Sequence, residues 1–207
     1  MASARIENST PTEVERALAR EGKGGMADFA ALISPCAGEN FLEPMARLAR
    51  SLTRRRFGNT IRLFAPLYLS NECTNVCDYC GFSLGNAIPR KTLTVPEMLR
   101  EAGVLKGHGF EHVLLVTGES GRKVGVDYIL DALRALRRYF ANLSIEVQPL
   151  RTTEYERLVE EGLHAVMLYQ ETYERESYAA HHLKGKKRNF EWRLEAPDRL
   201  GRAGVSK

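Results

Sequence analysis

Three cysteines crowd into Ser70-Asn71-Glu72-Cys73-Thr74-Asn75-Val76-Cys77-Asp78-Tyr79-Cys80, spaced C-x3-C-x2-C with an aromatic residue before the third. Thiolates are soft ligands that suit iron–sulfur clusters and zinc. Three from one loop can hold three irons of a [4Fe-4S] cluster and leave the fourth iron without a protein ligand, open to chemistry. Zinc competes for the same residues, but a structural zinc site takes four ligands and favours paired C-x2-C knuckles. No second pair follows, which leaves His108 and His112 as the imaginable partners. The one further cysteine, Cys36, and the polar opening Met1-Ala2-Ser3-Ala4-Arg5 speak against disulfides and for a reducing, cytoplasmic setting.

Other candidates stand farther along: Thr117-Gly118-Glu119, Glu146 and Gln148, and Tyr169-Gln170-Glu171. For these to meet the cysteines, the intervening elements must bring them to one end of a fold. Thr10-Pro11-Thr12-Glu13 has a capping residue, a proline at the first helical position and a carboxylate at the third, so it opens a helix over residues 10–20. Helices over 26–32 and 42–57 follow. Residues 62–70 read as a first strand that delivers the cysteine loop. Thr94-Val95-Pro96-Glu97 caps a helix that stops at Gly107 or Gly109, and 112–117 is a short apolar strand of the buried, parallel kind. Next come a helix over 124–140, a strand over 144–148, a helix over 153–161 stopped by Gly162, and a strand over 165–170. Asn189 caps a last helix, kinked at Pro197.

Strands separated by helices imply right-handed crossovers and a parallel sheet. The expected fold is α/β: a helical lead over 1–61, then about four βα units of a TIM-type barrel over 62–207. In such barrels chemistry sits at the C-terminal ends of the strands, and the cysteines, Thr117-Gly118-Glu119, Glu146 with Gln148, and Gln170-Glu171-Thr172 each fall at one. Glu146 and Gln148, two apart, would share a face turned to the barrel interior. A carboxylate there needs hydrogen-bond donors, and a ribose diol would supply them.

The composition, 43% apolar and 27% charged with a formal charge of +4, is that of an ordinary globular chain. No apolar run is long enough to span a bilayer. The two basic runs, Arg54 to Arg56 and Lys184 to Arg188, lack interleaved aromatics, which argues against nucleic acid and leaves a solvated loop or one that attracts an anionic partner.

The cysteine loop resembles the C-x3-C-x-(aromatic)-C signature of the radical S-adenosylmethionine (SAM) enzymes. Further stretches, from Arg56-Phe57-Gly58-Asn59-Thr60 and Leu67-Tyr68-Leu69-Ser70-Asn71 to Tyr169-Gln170-Glu171-Thr172-Tyr173 and His181-His182-Leu183-Lys184-Gly185-Lys186-Lys187, look like its 2-iminoacetate synthase family. The resemblance implies that Cys73, Cys77 and Cys80 hold the cluster and that its open iron binds SAM. It places Tyr79 against the adenosyl group and Glu146 on the ribose. Thr117-Gly118-Glu119 matches a Gly-Gly-Glu element that holds the SAM ammonium, with Thr117 in place of the first glycine. Arg193 aligns with an arginine for the SAM carboxylate, a bidentate task that suits a guanidinium; the alternative is a surface ion pair with Glu171, Glu191 or Glu195.

The implied reaction is cleavage of the Cα–Cβ bond of L-tyrosine to 2-iminoacetate and p-cresol, begun by a deoxyadenosyl radical. Gln148, Tyr169, Gln170, Glu171 and Tyr173 stand where substrate contacts are expected. Implied partners are thiazole synthase (ThiG) and an electron donor of the flavodoxin or ferredoxin type. Two other readings are the tyrosine lyase of hydrogenase maturation, against which Lys184-Gly185-Lys186-Lys187 speaks, and a non-catalytic iron–sulfur or zinc-binding fragment. Because barrels of this family have six or eight strands, four lead us to expect that 1–207 is an incomplete enzyme sequence with no turnover of its own.

Overall fold

The computed structural model describes residues 6–207, which divide into two compact units that part between Ile61 and Arg62. The first is helical: α1 (Pro11–Ala19), α2 (Met26–Leu32) and α3 (Glu39–Phe57). Thr10 caps α1, and the Glu13 carboxylate accepts the Thr10 N–H at 2.8 Å, as the sequence foretold. In α2 the Asp28 carboxylate caps in the same way, accepting from the Gly25 N–H (2.9 Å) and from Arg20 (2.8 Å). Helix α3 begins three residues before the expected Leu42, which lets Phe41 join Met45 on a small core around Val14, Ala31 and Ala37.

The second unit runs β1 (Ala65–Ser70), β2 (Val76–Cys77), α4 (Val95–Gly107), β3 (His112–Thr117), α5 (Val126–Leu136), β4 (Asn142–Glu146), α6 (Thr152–Glu160) and β5 (Leu163–Val166). It continues with α7 (Arg175–His181), β6 (His182–Lys184), α8 (Phe190–Leu194) and α9 (Ala196–Arg202). Strands β1, β3, β4 and β5 form one parallel sheet in that order, the α/β architecture expected. Their register puts Leu67, Leu115 and Ile145 in one row, facing Met98 of α4, Ile129, Leu133 and Leu136 of α5, and Tyr155 and Leu158 of α6. Each such side chain contributes about 1.5–3 kcal/mol by leaving water, so this layer supplies most of the driving force. The next row, Tyr68, Val116 and Glu146, lies on the other face, at the ends of the strands.

Several boundaries moved. Arg62 to Phe64 pair with no strand, and Leu63 is exposed. Strand β4 starts at Asn142, where the Asn142 side chain meets His112 Nδ1 at 2.7 Å, and stops at Glu146, before Pro149. Gln148 is therefore off the strand. Pro197 does not kink one helix but sits in the first turn of a second, where its missing N–H costs nothing. Helix α7 and the two-stranded ribbon of β2 and β6 were not expected. No helix among the described residues is long and apolar enough to cross a membrane.

Candidate functional site

The C-terminal ends of β1, β3 and β4 open onto a cavity of about 360 Å³. Cys73, Cys77 and Cys80 line it with Tyr79 beside them; so do Thr117 ending β3 with Gly118 and Glu119 after it, Glu146 ending β4, Tyr169 and Glu171 after β5, and Arg193 from α8. Three of the sequence candidates lie elsewhere, the first being Tyr173, which is exposed and does not line the cavity. Gln148 lines a neighbouring cleft and donates to the Val124 carbonyl at 3.1 Å, because the strand face it was to share with Glu146 has already ended. Gln170 does not line the cavity, and its Nε2 is buried with no partner among the described residues.

The cysteine loop is held from three sides. On one, the Arg90 guanidinium donates to the carbonyls of Asn71 (2.7 Å), Phe82 (2.8 Å) and Ser83 (2.7 Å). On the second, the chain leaving β3 lies against it: the Gly118 N–H donates to the Ser70 carbonyl (2.9 Å), and the Thr74 N–H to the Glu119 carbonyl (2.9 Å). A β-carbon on Gly118 would stand 2.4 Å from the Glu72 carbonyl oxygen, so backbone packing alone demands glycine there. On the third, β6 pairs antiparallel with β2, setting Cys77 opposite His182 and Val76 opposite Lys184. Gly185 follows at φ +95°, where a β-carbon would collide with Asn75.

Asn75 ties these supports together. Only 1% exposed, it donates from Nδ2 to Glu119 Oε2 (2.9 Å), accepts at Oδ1 from the Lys187 N–H (3.0 Å), and points its own N–H at Cys73 Sγ (3.5 Å). The other Glu119 oxygen is ion-paired with Arg193, whose Nη1 also donates to the Tyr169 carbonyl at 3.0 Å. Arg193 is 4% exposed, so its pair is buried; Glu171, Glu191 and Glu195 are matched instead with Lys187, Arg175 and Arg199. Thr117 Oγ1 and Arg193 Nε are buried in this wall with no hydrogen-bond partner among the described residues.

Opposite lies Tyr79. His182 Nδ1 faces the Tyr178 carbonyl at 2.6 Å, an atom that only accepts, so Nδ1 carries the proton and Nε2 accepts from the Tyr79 hydroxyl at 2.7 Å. Enclosure of that phenol end raises its pKa, although the ring as a whole is half exposed, and burial lowers that of His182. Lys187 Nζ sits 5.7 Å from the Tyr79 ring centroid and 2.7 Å from Glu171, a non-glycine residue at φ +72°. Burial raises the Glu146 carboxyl, the Glu171 charge adds to this, and Lys187 opposes it. Burial pushes the Cys77 thiol up to about 11.

Sequence reasoning assigned no role to Asn75, His182 or Lys187. The stretch that holds the last two was noticed for its likeness and its positive charge, since nothing in its pattern says that it pairs with a loop so far upstream. Among the described residues, no three His, Cys, Asp or Glu side chains gather round one point as a mononuclear metal would need. Thiolates bound to separate irons do not have to.

The comparisons with known proteins agree with one another. The chain is 54% identical over 203 residues to the 2-iminoacetate synthase of Escherichia coli and 53% identical over 203 residues to that of Salmonella typhimurium, covering 98% of this chain and 53% of each relative. It therefore spans about half the length of the curated relatives it matches. A crystal structure of HydG, a maturase of the [FeFe]-hydrogenase, superposes with a TM-score of 0.92 at 28% identity, over 100% of this chain and 47% of that one. The family model described as the radical SAM superfamily matches residues 67–207, from the strand that presents the cysteines to the last residue, and it is to this superfamily that the chain belongs.

Proposed function

We propose that this chain carries the cluster- and SAM-binding half of a tyrosine lyase that forms 2-iminoacetate and p-cresol. The observation that supports it most is the 54% identity to a 2-iminoacetate synthase over nearly the whole chain, against 28% for the hydrogenase maturase.

The residues present suit the cofactors. Three thiols from one loop line one cavity, as a cluster with one open iron requires. Thr117 Oγ1 and Arg193 Nε are buried in the same wall and await partners. Cys73, Cys77 and Cys80 would hold the cluster. SAM, an α-amino acid, brings an ammonium for Glu119 and a carboxylate for Arg193, so it can replace the existing ion pair without leaving either charge alone. Glu146 would accept from the ribose hydroxyls, and Tyr79, fixed by His182, would lie against the adenosyl group. When bound and reduced, the cluster and SAM together supply a carbon radical able to take a hydrogen atom from an amine.

Toward L-tyrosine we assign Tyr169 and Glu171, which share this cavity; Gln148 and Gln170 have no part in it. The chemistry needs water kept from a radical site and from an imine that would hydrolyse, yet Tyr68, Tyr79 and Tyr169 on the cavity wall are each more than half exposed, so the described walls do not suffice for turnover. The product would be consumed by thiazole synthase. Anaerobic reconstitution tests the reading, with about four irons per chain expected, one of them exchangeable. Turnover is assayed on 1–207 alone and with the C-terminal half of the Escherichia coli relative supplied. p-Cresol in either supports a tyrosine lyase. Its absence in both, with cluster and SAM bound, overturns that part.

A further inference from the structure

The strongest basic run, Lys184 to Arg188, is strapped to the outside of the cysteine loop by the β2–β6 pairing and the Lys187–Asn75 hydrogen bond. Beside it, across Thr74 from the cavity, lies a cleft of about 1070 Å³ lined by seven lysines and arginines against three carboxylates. Four of those cations are neutralised, Lys123 by Glu72, Arg157 by Asp127, Lys187 by Glu171 and Arg193 by Glu119. Arg122, Arg151 and Lys186 make no ion pair among the described residues, and Lys184 and Arg188 extend the positive rim beyond the cleft as exposed side chains.

We propose that this rim and cleft form the docking surface for an acidic protein that carries single electrons, delivering each one past Thr74 to the centre proposed for the cysteine loop. The inference rests on that proposed centre, which needs an external electron to become reduced. Thr74 is one peptide bond from Cys73 and is exposed on the cleft wall, so the carrier's redox group can come close without entering the cavity. One electron leaves the carrier and one arrives; no bond is made or broken in the transfer. Unpaired cations steer an acidic partner and set its orientation. The rim outruns the cleft, which favours a protein surface over a small anion. RNA is disfavoured because both aromatic side chains that line the cleft are engaged: the Arg199 guanidinium covers a face of Trp192 at 3.6 Å, and the Tyr128 hydroxyl is tied to the carbonyls of Leu69 and Leu93.

The test uses an oxidised flavodoxin, an acidic protein, immobilised as the probe, with chain 1–207 in solution at low salt. Arg122→Glu with Lys186→Glu is expected to weaken binding by about tenfold or more, and added salt to weaken the unaltered chain. The same charge change at two exposed sites elsewhere, Arg100→Glu with Arg138→Glu, is expected to leave affinity within about twofold. Reduction of the reconstituted chain should slow with flavodoxin hydroquinone but not with dithionite, which needs no docking. No binding by the unaltered chain, equal losses in both double variants, or tighter binding of single-stranded RNA would overturn the proposal. Binding does not require the cluster, so a chain that fails to load iron yet binds flavodoxin sinks the proposed centre and leaves the docking surface standing.

Discussion

Gly118 and Glu72 meet backbone to backbone, with no room for a side chain between them: the place of a β-carbon on Gly118 is 2.4 Å from the Glu72 carbonyl oxygen and 3.3 Å from the Cys73 β-carbon. A residue that resemblance reads as a cofactor contact is thus also the packing surface of the cysteine loop. Gly118→Ala must push that loop away. We expect a loss of about 1–3 kcal/mol of stability, as for overpacked cores, and a several-fold fall in iron content after reconstitution. Unchanged iron content and an unchanged unfolding midpoint would show that the loop yields freely.

The buried Glu119–Arg193 pair is expected to be costly to break from one side. Glu119→Gln leaves the guanidinium, 4% exposed, without its counter-ion, a change of about 3–5 kcal/mol read from urea unfolding. Arg193→Lys keeps the charge but loses the planar fork. It should leave iron content unchanged while lowering SAM affinity by about one to two decades in calorimetry, the equivalent of a lost charged hydrogen bond. Unaltered affinity would remove Arg193 from the SAM site.

Cysteine reactivity separates the three thiols before any metal is present. With burial holding Cys77 at about 11, its thiolate fraction at pH 8 is about a hundredfold below that of a thiol at the ordinary value near 9. Iodoacetamide should alkylate Cys77 last in the metal-free chain, and urea should erase the lag. After reconstitution, serine at Cys73, Cys77 or Cys80 should abolish cluster formation. Serine at Cys36, which sits in the helical unit against Ser34, should not.

Glu97 provides a pH test away from the cavity. The Lys91 ammonium, and then the Thr94 N–H of the α4 cap, hold its carboxyl down to about 2 against an ordinary 4.5. A depressed carboxyl stabilises the fold fully above its unfolded pKa and loses that contribution as pH falls through its folded one. Glu97→Gln should therefore lower the unfolding midpoint at pH 7, with the gap from the parent closing between pH 4.5 and about 2. A gap that persists unchanged at the acid end would assign the effect to shape rather than charge.

What could be read from the sequence was whatever is local. The α1 cap, the parallel order of β1, β3, β4 and β5, and the gathering of the cysteines with Thr117, Glu119 and Glu146 follow from short patterns and one topological rule, whereas Arg193 was reached by resemblance alone. Contacts without a local signal were invisible. Asn75 reads as one more polar loop residue until Glu119 and Lys187 fold onto it, and β6 is too short and too basic to announce itself as a strand. Gln148 failed for the complementary reason, since a period of two carries a side chain to one face only while the strand lasts.

The pairing of Val76 with Lys184 also fixes an order of events. During synthesis the three thiols emerge well before the segment that clamps them, and a contact so distant along the chain is slow to close. Until it closes, Asn75 has no Lys187 to anchor it and Tyr79 has no His182. We therefore expect the cysteine loop, made early, to be among the last parts of the unit to take its final shape, and a chain ending before Lys184 to load less iron on reconstitution than 1–207.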